Sequence, residues 1–287
     1  MTTFNETYFQ SGDGLRLFCR DYESAGDATP VVCLHGLTRN SKDFDELAAR
    51  LAAGGRRVLV PDLRGRGRSE HDPKPENYAV PIYVADVKRL LDELKLTRAV
   101  FIGASLGGIV TMTMAIVHPD TVQAAVLIDI GPIVEPAGVE RIRSYVGKLP
   151  RVDNWDAAAE LAKSLYGSIY PDFEPEDWMK MARRSFRDVA PGQIVADYDP
   201  AIATMFAKDD DSAPNVDRWA LFEGLKPIPT LVIRGAMSDV LSEATVQRMK
   251  ELKPDLEVCV VAGRGHPPLL SEPDCSPALE AFLAGQP

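Results

Sequence analysis

The sequence predicts an α/β fold in which a mostly parallel, doubly wound sheet is covered by helices on both faces. Short apolar runs without polar alternation recur along the chain, and such runs are typical of strands buried on both faces. Between them stand helical patterns with apolar residues at i, i+3, i+4 and i+7, as in Phe44 to Leu51 and Val84 to Leu94. Regular alternation of the two patterns favours a parallel sheet.

The candidate core strands are apolar runs bounded by turn residues. They are Val31 to Leu34, Val58 to Val60, Ala99 to Ile102, Ala124 to Ile128, Leu231 to Ile233 and Val258 to Val261. At the amino end, Glu6 to Gln10 and Leu15 to Tyr22 flank the turn-rich tetrapeptide Ser11-Gly12-Asp13-Gly14. This pattern predicts a hairpin, and therefore an antiparallel edge of the sheet.

The alternation stops after Gly131-Pro132 and resumes only near Pro227. We therefore predict a core made of residues 1–131 and 227–287, with residues 132–226 inserted as a helical cap that contains no convincing strand. The aromatic and methionine side chains of the cap either form its own core or line an apolar pocket beneath it. The charged segment Lys208 to Asp211 is predicted to be a solvated loop.

Composition excludes several classes of protein. The 287 residues are 45% hydrophobic and 26% charged, which is typical of a globular chain. The net charge of −10 repels phosphate backbones and anionic membranes, so neither nucleic acid nor a membrane is an expected partner. With no signal peptide pattern, we expect a cytoplasmic monomer or homodimer. The four cysteines lack C-x-x-C spacing and no H-E-x-x-H occurs, so we expect neither a metal nor another cofactor.

The candidate nucleophile is Ser105, in the G-x-S-x-G motif Gly103-Ala104-Ser105-Leu106-Gly107. The motif follows a predicted buried strand and precedes a predicted helix, which is the strand, turn and helix arrangement of a nucleophile elbow. A serine needs a base to take its proton, and the sequence has only four histidines. His266 is the favoured base because its loop, Gly263 to Pro267, follows the last strand and lies at the same sheet edge as Ser105.

The base in turn needs a carboxylate, and two are candidates. Asp239 is favoured because it follows the strand Thr230 to Arg234 through a loop of small residues. Asp129, at the end of the strand Ala124 to Ile128, is the alternative acid, although it could instead hold the exit of the chain towards the cap.

The loops around the predicted site supply further candidates. An oxyanion hole requires two backbone N–H groups, which we assign to Leu106, directly after the nucleophile, and to Leu37 in the loop after Val31 to Leu34. His35 is expected to brace that loop. Arg39 and Arg64 lie on loops at the same edge, where they would either brace the loops or contact a carboxylate of the substrate.

Taken together, these motifs resemble those of the α/β-hydrolase superfamily, in its branch of capped serine esterases and C–C hydrolases. The resemblance rests on His35-Gly36, Asp62 to Ser69, the Ser105 elbow, Asp239 and Gly265-His266, and it covers nearly the whole chain. It implies an eight-stranded sheet with the cap inserted after strand six and a Ser, Asp, His chain order for Ser105, Asp239 and His266. Relatives that act as dehalogenases or epoxide hydrolases carry Asp at the elbow, and Ser105 counts against both activities.

We therefore expect a serine esterase that cleaves small to medium apolar carboxylic esters through an acyl-enzyme on Ser105. One alternative is a C–C bond hydrolase that cleaves a vinylogous diketone with the same residues. The other is a receptor-like binding module that keeps the fold and the pocket without turnover.

Overall fold

The computed structural model describes residues 4–206 and 217–286. Eight strands of the described residues form one sheet. In chain order they are β1 (Asn5–Gln10), β2 (Arg16–Tyr22), β3 (Val31–Leu34), β4 (Val58–Pro61), β5 (Ala99–Ala104), β6 (Val122–Ile128), β9 (Thr230–Gly235) and β10 (Glu257–Val261). Their order across the sheet is β1-β2-β4-β3-β5-β6-β9-β10. The β1–β2 and β2–β4 pairs are antiparallel and every other neighbouring pair is parallel. The predicted mostly parallel, eight-stranded sheet is confirmed.

Helices cover both faces of this sheet because its strands are apolar on both sides. The helices of the core are α1 (Asp45–Ala53), α2 (Val80–Glu93), α3 (Leu106–Val117), α8 (Glu243–Leu252) and α9 (Cys275–Ala284). On one face, buried residues of α2, α3 and α8 form one apolar cluster with Phe101 of β5. On the other face, buried residues of α1 and α9 form a second cluster with Val100 and Ile102. None of the helices in the described part of the chain has both the length and the apolar character needed to span a membrane.

The chain between β6 and β9 forms a separate layer above the carboxyl edge of the sheet. It contains α4 (Pro136–Tyr145), α5 (Trp155–Tyr166), α6 (Pro175–Ser185), β7 (Phe186–Ala190), β8 (Gln193–Ala196) and α7 (Arg218–Glu223). Helices α5 and α6 have an apolar cluster of their own, in which Trp178 and Phe186 are buried. The cap thus follows strand six, as predicted.

The expectation that the cap contains no strand is wrong, because β7 and β8 pair antiparallel. The turn between them places Gly192 at φ 69°, a left-handed conformation that glycine adopts without strain. Strand β7 buries only Phe186 fully, so it lacks the continuous apolar run by which the core strands were recognised. The predicted charged loop Lys208 to Asp211 lies outside the described residues.

Candidate active site

Ser105 lies on a tight turn between β5 and α3. Its backbone has φ 51° and ψ −114°, which is a strained conformation for a residue with a side chain. The turn is possible because glycines lie on both sides: a Cβ on Gly103 would lie 2.4 Å from the Gly107 carbonyl carbon, and one on Gly107 would lie 2.1 Å from the Leu34 carbonyl oxygen. The packing of β3, β5 and α3 therefore requires the G-x-S-x-G pattern, and it presents the Ser105 hydroxyl at the sheet edge.

The imidazole of His266 contacts both Ser105 and a carboxylate. Its Nε2 lies 2.9 Å from Ser105 Oγ, and its Nδ1 lies 2.8 Å from Oδ2 of Asp129. Because a carboxylate only accepts hydrogen bonds, Nδ1 carries the proton and Nε2 is left to accept from the serine hydroxyl. The cap holds the His266 loop in place, since Gly265 N–H donates to the Ile169 carbonyl and the Tyr170 hydroxyl donates to that of Pro267.

Asp129 is fully buried directly after β6, and it is held by the last residue of β9 and by the loop that follows that strand. Its Oδ1 accepts from Gly235 N–H at 2.8 Å, and its Oδ2 accepts from the Ser238 hydroxyl at 2.5 Å as well as from His266. Its own φ of 53° turns the side chain away from the strand direction. These contacts fix the carboxylate in front of Nδ1, which is how a triad acid holds its imidazole.

The prediction that Asp239 would contact His266 is wrong. The Asp239 carboxylate forms a two-point ion pair with Arg141 of the cap, with Nε to Oδ2 at 2.6 Å and Nη2 to Oδ1 at 2.8 Å. Burial opposes ionisation of Asp239, but the hydrogen bonds and charge of Arg141 outweigh it and hold its pKa below the usual value. Strands β6 and β9 are neighbours, so Asp129 and Asp239 follow the same edge of the sheet. Of the two carboxylates, that of Asp129 contacts the imidazole and that of Asp239 is paired with Arg141.

The loop after β3 passes close to Ser105. Gly36 is so near that a Cβ there would lie 3.7 Å from the Ser105 Cβ, and Leu37 lines the same cavity. His35 fixes the loop from below, because its Nε2 accepts from Leu63 N–H at 3.0 Å and its Nδ1 donates to the Gly36 carbonyl. Burial lowers the pKa of His35 to about 4, so the ring is neutral at pH 7. Leu106 begins α3, and the first N–H groups of a helix have no partner within it.

A cavity of about 80 Å³ opens on Ser105 and His266 between the sheet edge and the cap. The cap contributes Arg141, Ile142, Tyr145, Tyr166, Tyr170 and Met181 to its wall, and the core contributes the ion pair of Arg39 with Asp43. Among the aromatic and methionine side chains of the cap, Tyr166, Tyr170 and Met181 belong to the core of the cap and also line this cavity, whereas Trp178 and Phe186 belong to that core without lining the cavity. Most of the wall is apolar, as expected from the sequence, and the arginines and tyrosine hydroxyls add a few polar groups to it.

The two arginines that we considered as substrate contacts have different surroundings. Arg64 is buried away from the cavity, where it is paired with Asp13, Asp72 and Asp86 at 2.5 to 2.8 Å. The possibility that Arg64 contacts a substrate carboxylate is therefore wrong, and it braces its loop instead. Arg39 does line the cavity, but its guanidinium is held by Asp43 and by the Ser185 hydroxyl.

Arg141 is the residue of this site that sequence reasoning missed. In the sequence it is one of several charged residues on an amphipathic cap helix, with no motif around it. The one signal present is Gly138, whose N–H donates to the Asp239 carbonyl at 3.0 Å and brings α4 against the loop of Asp239. Within the described part of the chain, no group of three or more His, Cys, Asp or Glu residues is arranged to hold a metal ion.

The serine turn between β5 and α3, the histidine in the loop after β10 and the carboxylate after β6 have the arrangement that is typical of hydrolases built on an α/β sheet. A family model described as the alpha/beta hydrolase fold matches residues 29–273. The chain therefore belongs to the α/β-hydrolase family.

Known proteins resemble this chain over nearly its full length. It is 34% identical to 3-hydroxybutyrate-oligomer hydrolase of Cupriavidus necator, over 92% of each chain. It is 29% identical to 2-(acetamidomethylene)succinate hydrolase of Mesorhizobium japonicum, over 84% of this chain and 82% of that one. Among solved structures, an α/β hydrolase from Novosphingobium aromaticivorans has a TM-score of 0.93, with 42% identity over 99% of both chains. A putative hydrolase from Rickettsia typhi has a TM-score of 0.87 with 26% identity, over 99% of this chain and all of that one.

Proposed function

We propose that this chain is a serine hydrolase that cleaves carboxylic esters through an acyl-enzyme on Ser105. The observation that carries the proposal is the continuous hydrogen-bonded chain from Ser105 Oγ through His266 to Asp129. Its distances of 2.8 and 2.9 Å lie within the range required for proton transfer between a nucleophile and its base.

In this mechanism Ser105 Oγ attacks the ester carbonyl while His266 Nε2 takes the hydroxyl proton. Asp129 accepts a hydrogen bond from Nδ1–H and stabilises the imidazolium that forms, without itself taking the proton. His266 then donates the proton to the departing alcohol, which leaves the acyl group on Ser105. A water molecule activated by the same imidazole releases the acid, so each group returns to its starting state.

We propose that the backbone N–H groups of Leu37 and Leu106 stabilise the oxyanion of both tetrahedral intermediates. Leu106 is well placed because it begins α3, where the helix dipole also favours negative charge. Leu37 is held by Arg66, whose Nε donates to the Leu37 carbonyl at 2.9 Å. The His35 and Arg66 contacts together keep the loop rigid, which oxyanion stabilisation requires.

The similarity to a 3-hydroxybutyrate-oligomer hydrolase supports an ester substrate, because hydroxy acids oligomerise through ester bonds. The mostly apolar wall of the cavity fits the apolar esters expected from the sequence, and its arginines and tyrosine hydroxyls also suit short esters that carry a polar substituent. A linear dimer of 3-hydroxybutyric acid is therefore a suitable first substrate. Cleavage of a C–C bond in a vinylogous diketone uses the same three residues and belongs in the same substrate panel.

The experiment is to trap the acyl-enzyme. The protein is mixed with a short p-nitrophenyl ester, quenched in acid during the pre-steady-state phase, and digested for mass spectrometry. We expect the mass of the acyl group on the peptide that contains Ser105, and none in Ser105→Ala. The matched control is Ser164→Ala, which changes an exposed cap serine and should leave labelling intact. Acylation at another residue, or turnover of esters by Ser105→Ala at near the wild-type rate, would contradict the proposal.

A further inference from the structure

A guanidinium with unused donors lies in the wall of the cavity that contains Ser105. Arg141 lines this cavity, whereas its ion-pair partner Asp239 does not. A guanidinium has five N–H donors, and Asp239 engages only Nε and one N–H of Nη2. Within residues 4–206 and 217–286 no further hydrogen bond of the Arg141 side chain is found. Nη1 is therefore available to a ligand in the cavity.

The position of this guanidinium is fixed by backbone packing. Gly138, one helical turn before Arg141, approaches the Asp239 loop so closely that a Cβ there would lie 2.6 Å from the Asp239 carbonyl oxygen. The two-point pair with the Asp239 carboxylate then sets the plane of the guanidinium. The Arg141 side chain is 22% exposed, so its electrostatic interactions are only partly screened by water.

The other arginine in the wall has less capacity for a ligand. Nε and Nη2 of Arg39 donate to Asp43, Nη1 donates to the Ser185 hydroxyl, and Nη2 also contacts the Met181 sulfur. Four of the five Arg39 donors are thus engaged, against two for Arg141. Of the two arginines, Arg141 is the better receptor for a group that accepts hydrogen bonds.

We propose that Arg141 binds a free carboxylate of the substrate, and that the preferred substrates are short esters that carry one carboxylate besides the scissile ester. A carboxylate is the group whose two oxygens match the planar edge of a guanidinium. Asp239 orients Arg141 from the opposite side and balances its charge when the cavity holds no substrate. This inference rests on the proposed function, because it concerns the specificity of the ester reaction at Ser105.

The test compares each anionic ester with a neutral counterpart of nearly the same shape. One pair is the monobutyl ester of glutaric acid and its primary carboxamide. The second is the linear dimer of 3-hydroxybutyric acid and its carboxamide, which places the carboxylate on the alcohol side of the scissile bond. We expect kcat/KM for the acid to exceed that for the amide by about 10- to 100-fold in at least one pair, as for a charge-assisted hydrogen bond.

Three variants distinguish recognition of a substrate carboxylate by Arg141 from a purely structural role of the Arg141–Asp239 ion pair. Arg141→Gln should abolish the preference for the acid over the amide, whereas Arg89→Gln, which removes an exposed arginine of α2, should leave both rates unchanged. Asp239→Asn removes the charge that competes with the substrate, so it should increase the preference by about threefold or more. If the ion pair only fastened the cap to the core, Arg141→Gln and Asp239→Asn would instead lower both rates together.

The outcomes distinguish the inference from the proposed function. Hydrolysis of acids and amides at equal rates would overturn the role of Arg141 and leave the ester mechanism standing. If no ester were hydrolysed, the proposed function would fail, and calorimetry of the same compounds with Ser105→Ala would then decide the inference. If Ser105→Ala binds the acids more tightly than the amides, and the added substitution Arg141→Gln removes this difference, the role of Arg141 is supported. Equal binding of acids and amides overturns that role.

Discussion

His266 Nδ1 lies 2.8 Å from Oδ2 of Asp129, the residue that follows the sixth strand of the chain. The adjacent strand β9 leads to Asp239, whose carboxylate is engaged by Arg141. The two carboxylates therefore follow neighbouring strands but have different partners, His266 for Asp129 and Arg141 for Asp239. The contact with His266 assigns the role of the acid to Asp129 in the proposed mechanism.

Replacing the two acids separately should give very different defects. Asp129→Asn should lower kcat for a neutral ester by about 10⁴-fold, because the amide favours the wrong imidazole tautomer and no longer stabilises the imidazolium. Asp239→Asn should lower it by less than about tenfold, since Asp239 contacts Arg141 and not His266. The measurement is steady-state kinetics on both purified variants.

Circular dichroism and thermal unfolding serve as controls for folding in this comparison. Asp129 also accepts hydrogen bonds from Gly235 and Ser238, so Asp129→Asn should lower Tm more than Asp239→Asn does. The opposite order of the kinetic defects, in folded proteins, would return the acid to Asp239.

The sequence was sufficient to predict the sheet, the elbow and the position of the histidine loop. Strands such as β3 and β5 are buried on both faces, so their apolar runs carry a strong signal. Ser105 lies directly after β5 and His266 lies in the loop that follows β10. The carboxyl ends of parallel strands share one edge of the sheet, and this rule brings the two residues together. These predictions depend on local pattern and topology, which the sequence determines.

Local pattern and topology could not decide whether Asp129 or Asp239 contacts His266. Both residues follow parallel strands that are neighbours in the sheet, so the topology places both at the same edge of the sheet. The two carboxylates differ in their partners, because Arg141 of the cap forms an ion pair with Asp239. The close packing of Gly138 against the Asp239 loop brings Arg141 near that carboxylate. Contacts between distant segments of this kind have no periodic signal in the sequence, which also explains why Arg141 was missed.

Arg64 should contribute to stability and not to substrate binding. It is nearly fully buried and paired with Asp13, Asp72 and Asp86, so Arg64→Gln leaves buried carboxylates without their partner. Loss of one partner of a buried ion pair costs about 3–5 kcal/mol of unfolding free energy. Urea unfolding measures this loss, and Arg89→Gln, which breaks an exposed pair, should cost about 1 kcal/mol or less.

The preference for anionic over neutral esters, measured as a ratio of kcat/KM values, distinguishes Arg64→Gln from Arg141→Gln. In folded protein its preference for anionic over neutral esters should equal that of the wild type. A loss of that preference with unchanged stability would contradict the bracing role.

Gly107 should tolerate no side chain. A Cβ at this position would lie 2.1 Å from the Leu34 carbonyl oxygen, which is backbone and cannot rotate away. Gly107→Ala should therefore force β3 and α3 apart and lower the unfolding free energy by about 2 kcal/mol or more, as overpacking does. Gly12→Ala is the matched control, because no atom of the described residues beyond its own chain neighbours lies within 4 Å of the added Cβ.

Tm and the yield of folded protein are the readouts for these glycine variants. Gly12→Ala should remain within about 0.5 kcal/mol of the wild type. A Gly107→Ala protein as stable as the wild type would show that the elbow does not require the close approach of β3 and α3.

The last prediction concerns pH and His35. Burial lowers the pKa of its imidazole from 6.5 to about 4, because the charged ring would lose its hydration and the hydrogen bond from Nδ1 to the Gly36 carbonyl offsets only part of that loss. Between these two values the unfolded chain binds a proton at this residue and the folded protein does not, so stability falls as the pH falls. The contribution of neutral His35 to stability is complete above about pH 6.5 and is lost by about pH 4. At about 1.4 kcal/mol per pKa unit, it amounts to about 3 kcal/mol.

We expect the difference in unfolding free energy between wild type and His35→Gln, measured in urea, to shrink by about this amount from about pH 7.5 to about pH 4, because other titrating groups cancel in the difference. An NMR titration should independently find the His35 ring neutral at about pH 5, and a difference in stability that did not vary with pH would show that His35 can take up its proton in the folded protein.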